Sequence, residues 1–265
     1  MAGTDDLRKA VNDVVQGVRL APLWWKVGIE QTVTRYRRTL LGPFWMASSM
    51  LATGLSLSVV FGAVFGQNIH EMLPFILSGV LAWGLVGGVV TDGAGTFTSA
   101  SGAMQIYRLP LSFHVLLQMD RLLINFAHQI VAFWFVMAVL RLFPLPHWEL
   151  LFSLPLIVLI GLCVSFPIGM LATRFRDFGL LIGVIMQVLF MLTPVFWKPT
   201  LVPPRLQWIV VYNPFAHMIA IVRQPLLGHP APVGDWAASV MILAVTATLA
   251  LISLVLFRRR VVFWL

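Results

Sequence analysis

Arg35, Arg37 and Arg38 crowd three guanidinium groups into four positions, with Tyr36 between them. Arginine's planar fork meets phosphate oxygens two at a time, so this spacing suits a concentrated anion such as a diphosphate. The same charges also serve as a plain basic anchor at a membrane surface. Few other residues suggest chemistry. A nucleotide-binding loop needs Gly-x-x-x-x-Gly-Lys-Ser/Thr, and no such run occurs. Gly93-x-Gly95 lacks its third glycine, and His70-Glu71 continues as Met72-Leu73-Pro74 rather than as a zinc-protease helix. If ATP drives this protein, another chain hydrolyses it. Cys163 is alone, so neither an intrachain disulfide nor a cysteine metal cluster is expected. Asn125, His128 and Gln129 lie within an apolar run. Such residues are functional candidates at membrane depth, but interhelical hydrogen bonds are the favoured expectation. They make a poor acid–base set for a membrane acyl- or glycosyltransferase.

The elements that must position these residues are set by composition. The chain has 265 residues, 59% of them hydrophobic and 11% charged, with a mean hydropathy of +0.91. A soluble domain carries about a quarter charged residues, so the solvent must be largely lipid. The net charge of +8 sits at the ends of apolar runs. Nucleic acid would need a solvated basic face instead, and none is expected as a partner. Asp5, Asp6 and Asp13 precede the first long apolar run, which excludes a signal peptide.

The sequence predicts an all-α integral membrane protein. Residues 1–42 form the leading portion, with a short helix and then an amphipathic segment over about 22–40. There Trp25, Ile29, Val33, Tyr36 and Leu40 recur at helical spacing. Such a segment suits the headgroup plane, before Gly42-Pro43 turns the chain into lipid. Residues 43–265 hold six predicted spans, at about 43–66, 73–97, 119–141, 150–172, 179–197 and 236–257. Small residues repeat every four positions in the first (Gly54, Ser58, Gly62, Gly66) and the fourth (Gly161, Ser165, Gly169, Thr173), a pattern for close helix contact. Six spans put both termini on one side. Fourteen Lys and Arg fall on that side against four on the other, which makes it the cytoplasm.

Two inner loops stand out: Gln105-Ile106-Tyr107-Arg108-Leu109-Pro110, a short helix halted before its proline, and Arg174-Phe175-Arg176-Asp177. On the outer side, residues 198–235 hold two apolar pieces split by Asn213-Pro214. Both are too short to span and read as a pair of re-entrant or interfacial helices over about 204–227. Trp83, Phe190, Phe196, Trp197, Trp208, Tyr212 and Phe215 gather in the outer halves or at this mouth. An interfacial aromatic belt explains most of them. Phe196 and Trp197, after the Thr193-Pro194 break, best suit a conduit in which rings stack on passing sugars.

The ordered set Arg-Tyr-Arg-Arg-Thr-Leu-Leu-Gly-Pro-Phe-Trp, Gln-Ile-Tyr-Arg-Leu-Pro, Arg-Phe-Arg-Asp, Thr-Pro-Val-Phe-Trp, Tyr-Asn-Pro-Phe and the closing Arg-Arg-Arg-Val-Val-Phe-Trp-Leu resembles the membrane subunit of bacterial polysaccharide ABC exporters. These belong to the ABC-2 permease class of O-antigen, capsule and teichoic-acid exporters, and the ending leans toward the O-antigen branch. The resemblance implies a homodimer in the bacterial inner membrane, bound to two copies of an ATP-hydrolysing subunit that holds the ATP and Mg; no cofactor is implied for this chain. It implies export of a polyprenyl-diphosphate-linked glycan. It places Arg35, Tyr36, Arg37 and Arg38 where the lipid diphosphate is received. Tyr107, Arg108, Pro110, Arg174, Arg176 and Asp177 fall on the ATPase-coupling loops. Phe196, Trp197, Trp208, Tyr212, Asn213, Pro214 and Phe215 fall by the outer gate. The rivals are an ABC-2 exporter of small hydrophobic molecules, which needs no basic amphipathic helix, and the transferase already weighed. A secondary transporter would show internal repeats, and none is visible.

Overall fold

The computed structural model describes residues 4–42, 44–64, 66, 68–142 and 145–265. Pro43 of the expected Gly-Pro bend, and Phe65 and Gln67 beside the expected end of the first span, lie outside the described residues. Every element is helical, and no strand occurs among the described residues. That is what lipid demands, since a helix satisfies its own backbone hydrogen bonds.

In chain order the helices are α1 (Thr4–Arg19), α2 (Ala21–Tyr36), α3 (Phe44–Val64), α4 (Ile69–Ser99), α5 (Ser101–Ile106), α6 (Leu111–Val139), α7 (Leu150–Arg174), α8 (Arg176–Leu192), α9 (Trp208–Val211), α10 (Pro214–Leu226), α11 (Val233–Phe257) and α12 (Val261–Trp264). Five of them, α3, α4, α6, α7 and α11, are long and apolar enough to cross a membrane. Large apolar side chains such as Val59, Phe135, Phe152, Leu180 and Met241 point outward from them and from α8, as lipid-facing surface does. This is a multi-pass membrane protein.

Three expectations need correcting. The predicted fifth span ends early: α8 stops at Leu192, and its 17 residues extend about 25 Å. Thr193 takes an extended conformation and Pro194 follows, so the helix cannot continue through the Thr-Pro step. The second and third spans begin sooner than hydropathy suggested, at Ile69 and Leu111, because both helices run past the apolar window. The amphipathic segment ends at Tyr36, which puts Leu40 outside the helix. On α2 itself Trp25, Ile29 and Val33 are exposed, while Gly28 and Thr32 are buried.

α4 is the axis of the bundle. Met72, Ile76, Leu77, Leu81 and Leu85 along it are essentially inaccessible. Neighbours reach it through small residues. A Cβ at Gly54 of α3 would come within 2.4 Å of Leu77, and one at Gly161 of α7 within 2.7 Å of Val89. The two predicted stripes therefore serve contacts inside one chain rather than between chains. Gly66 departs from its stripe, standing beyond α3 with φ +61°.

Both chain ends meet at one end of the bundle. Arg258 donates from Nη1 to the Lys9 carbonyl at 2.6 Å, and Arg259 pairs with Asp6 at 3.4 Å. A second apolar cluster seals this end, joining Ala10, Phe97, Met104, Leu111, Phe166, Met170, Leu254 and Val261. The turns before α6 and α8 lie here too, so four basic segments share the same end.

Candidate functional site

The basic end is organised by α1 and α2 lying along the start of α6. The Asp13 carboxylate accepts from the Leu111 and Ser112 amides at 3.1 and 3.0 Å, and Ser112 Oγ donates to the Asp13 carbonyl at 2.6 Å. This caps the amino end of α6, where Pro110 offers no side chain for the task. α2 then follows α6, with Gly28 against Asp120 and Gln31 against Arg121. A Cβ at Gly28 would come within 1.9 Å of Asp120 Oδ2, so the close approach depends on glycine there.

Arg35 lies on the same stretch of α2, four residues beyond Gln31, and its charge reaches Arg121. Arg121 donates to Gln31 Oε1 at 3.0 Å and to Gln118 Oε1, which fixes its guanidinium. Sequence reading used Arg121 only for topology. The one signal that could have flagged it was its place at the head of an apolar run. Tyr36 ends α2 half-buried. Arg37 is extended and Arg38 takes a left-handed conformation at φ +67°; both are exposed. That conformation costs a non-glycine residue about 1–2 kcal/mol, offset in part where Thr39 Oγ1 and the Thr39 amide both donate to the Tyr36 carbonyl at 2.8 and 3.1 Å. The four predicted residues thus do not form one helical face. Arg35 closes the last turn of α2, while Arg37 and Arg38 stand in the loop beyond.

A groove of about 460 Å³ opens beside Arg121, between α2, the end of α4, α5 and α6. Its walls are mainly apolar, from Leu23, Val27, Phe113 and Leu117, with Gln31 and Arg121 on one side and Tyr107 on the other. Tyr107 and Arg108 follow α5 and are exposed, and Pro110 ends the turn. Arg174 closes α7 with its guanidinium 5.8 Å from the Phe175 ring and 5.7 Å from the Trp264 ring. Arg176 and Asp177 open α8, both exposed.

At the opposite end the outer-gate residues divide into two groups. Phe196 is buried and stacks on Phe61 and Phe190, with ring centres 4.9 and 5.5 Å apart. Phe190 and Phe215 both meet Trp83, at 5.4 and 5.7 Å. This row of rings joins α3, α8, α4 and α10. Trp197 is half-buried and donates from Nε1 to the Met191 carbonyl at 3.2 Å. Trp208 and Tyr212 are exposed, 59% and 81%, and stand apart from the row.

Two polar bolts hold the Thr193–Trp197 segment. Asn213 caps α10 by accepting from the Phe215 amide at 3.0 Å and donates to Thr193 Oγ1 at 2.9 Å, with Pro214 at the first helical position. Arg223 reaches back from α10, donates from Nη2 to the Val195 carbonyl at 2.6 Å, and lies 4.2 Å from the Phe75 ring centre. Burial pulls the Arg223 pKa down to about 9, so its charge persists at neutral pH. Sequence reading missed this role. A lone arginine inside the apolar piece 215–227 was the available sign.

The ABC-2 type transporter family profile matches residues 22–227, from α2 through α10. Two curated relatives, both O-antigen export system permease protein RfbA from Klebsiella pneumoniae, are each 20% identical to this chain. One alignment covers 195 residues, 72% of this chain and 74% of the relative; the other covers 190 residues, 70% and 72%.

Proposed function

This chain belongs to the ABC-2 type transporter family, and we propose that it exports a polyprenyl-diphosphate-linked polysaccharide, O-antigen-like, from the cytoplasmic to the periplasmic side of a bacterial inner membrane. On this reading it works as a homodimer and hydrolyses no ATP itself; a separate nucleotide-binding subunit does so. The observation that carries the reading is Arg121, held by Gln31 and Gln118 at one side of a largely apolar groove, with the Arg35 charge within its reach. Guanidinium groups suit a diphosphate, and the groove suits the first isoprene units attached to it. The O-antigen permease relatives favour the same substrate class.

The basic end faces the cytoplasm on this reading, by the positive-inside rule. An odd number of crossings would separate the chain ends, yet α1 and the end of α11 touch. α8, completed by the segment to Trp197, is therefore taken as the sixth crossing. α2, with Trp25, Ile29 and Val33 outward, would bury that face in the cytoplasmic leaflet. Tyr107, Arg108 and Pro110, with Arg174, Arg176 and Asp177, supply the exposed surface for the ATPase, and its strokes would be passed through α5 and the adjoining ends of α4 and α6.

The test is surface glycan in cells where this chain is the sole permease. Changing Arg35, Arg37 and Arg38 together to Ala should leave membrane abundance unchanged, abolish surface glycan and let it accumulate inside. Arg121→Ala should act the same way. Normal surface glycan in the triple variant would sink the role of these arginines.

A further inference from the structure

At the middle of the bundle the structure places a second cleft, polar along one part of its lining. It has a volume of about 280 Å³ and lies between α3, α4, α6 and α8, lined by Trp83, Thr91, Asp92, Asn125 and Gln129 among others. That approaches the lower end of the ligand-pocket range, about 300 Å³. Gly84 stands halfway along the 31-residue α4, and Asp92 lies about 12 Å further toward the basic end at 1.5 Å per residue.

Such side chains are expensive at membrane depth and call for a reason. Interhelical bonding was the expected one. Yet His128 turns its Nδ1 to the Ile124 carbonyl of its own helix at 2.7 Å. Asn125 Oδ1 is sealed from solvent and accepts no hydrogen bond. Gln129, nine-tenths buried, is directed at the glycine edge of α4: a Cβ at Gly84 would come within 3.0 Å of its Oε1. A glycine at that site keeps the cleft open where an alanine would begin to close it.

Resting on the export reading above, we infer that this cleft is a subsite for the neutral, hydroxyl-rich sugar chain, as distinct from its lipid diphosphate. The lining itself selects the class. Amides and a hydroxyl both donate and accept, as sugar hydroxyls require, and the Trp83 indole offers a flat apolar face. No basic side chain lines the cleft, so nothing there holds a diphosphate. Met46, Leu122, Phe126 and Met186 complete the lining, so the cleft meets both the hydroxyls and the apolar faces of a sugar. Two features place the cleft on a path. Asp92 stands seven residues from the basic end of α4 at Ser99 on one side, and Trp83 belongs to the Phe190–Phe215 row of rings on the other.

The experiment uses the full exporter in native membranes with Cys163→Ser, which removes the single cysteine. Asn125→Cys, and separately Thr91→Cys, are treated with a charged methanethiosulfonate, with Phe135→Cys on the outward face of α6 as reference. Membrane abundance is checked for each variant. Because the reactive thiolate needs a polar setting, cleft cysteines should label at least about tenfold faster than Phe135→Cys. Labelling should slow severalfold in cells making the glycan compared with cells whose glycan synthesis is blocked. Cleft cysteines as slow as the reference would overturn the polar subsite. Fast labelling that ignores glycan synthesis would overturn the sugar as its ligand while leaving export intact. If deleting the chain leaves surface glycan unchanged, the export reading itself fails, and this inference with it.

Discussion

Replacing Gly79 by alanine tests whether the outer segment is held where Arg223 and Asn213 place it. Gly79 lies on α4 against the Val195 carbonyl. An added Cβ would come within 2.2 Å of that backbone oxygen and 2.1 Å of Arg223 Nη2. The arginine tip can swing aside, but the backbone cannot yield without moving the whole Thr193–Trp197 segment by about 1 Å, the difference between 2.2 Å and an ordinary contact. Overpacking of this kind costs about 1–3 kcal/mol. Separating Val195 from its guanidinium donor leaves a buried carbonyl unpaired, at about 1–3 kcal/mol more. Alanine returns about 1 kcal/mol as the better helix former. The net loss is about 1–5 kcal/mol. Gly95→Ala on the same helix is the control, since nothing lies within 4 Å of its added Cβ and only the helix gain applies. Measured by thermal unfolding in lipid nanodiscs, Gly79→Ala should fall by several degrees and Gly95→Ala should hold or rise. Protease access near Lys198 should increase only in the first. Equal melting temperatures for the two variants would refute the reasoning.

Other predictions follow from the basic end. Tyr107→Ala and Arg108→Ala, both exposed beyond α5, should weaken co-purification with the ATPase subunit without lowering membrane abundance. Unchanged association and unchanged stimulation of ATP hydrolysis would remove the coupling role. Asp13→Ala removes a charged acceptor from two backbone amides, worth about 1.5–3 kcal/mol each. α1 should become a site of limited proteolysis, with Asp13→Asn intermediate; an α1 as protected as in the unaltered protein would show that the clasp does not hold it.

Most of the fold was legible because lipid simplifies the code. Runs of apolar residues near 20 long have few alternatives to a helix, and small residues every fourth position announced the faces turned toward α4. What escaped lies where hydropathy and pairing diverge. The Thr193-Pro194 break was visible, yet the fifth span was carried on to 197, because Val195 and Phe196 keep the run apolar while leaving the helix for a buried turn. The apolar periodicity of Trp25, Ile29 and Val33 was legible as one face, but only neighbours could say that Gly28 and Thr32 pack inward against α6. The site was legible in its charges and not in its geometry. Arg35 drew notice by its crowding, whereas Arg121 is 86 positions away in the chain and reaches α2, at Gln31, only through the packing of α2 on α6. Phe196 and Phe215 were grouped with Trp208 and Tyr212 by composition, and the fold then separates buried rings from exposed ones.

On the proposed reading these features also settle why the polar groups are strung out along the bundle rather than gathered into one pocket. The proposed cargo is itself segmented: an anionic diphosphate, an apolar tail and a neutral sugar chain. A single site strong enough to hold all three would retain them, and conduction requires each hold to be weak enough to release. The arrangement separates the tasks. Guanidinium groups stand at the basic end, where a dianion is cheapest to meet because water and headgroups remain at hand. The cleft beyond contains Asp92 and amides but no cation, so the diphosphate gains nothing by following the sugars inward. Past it stands the row of rings, whose faces suit any sugar and select none strongly. Charge order along α4 and α6, rather than the affinity of any one group, would then set the direction in which a glycan chain leads and its lipid end trails.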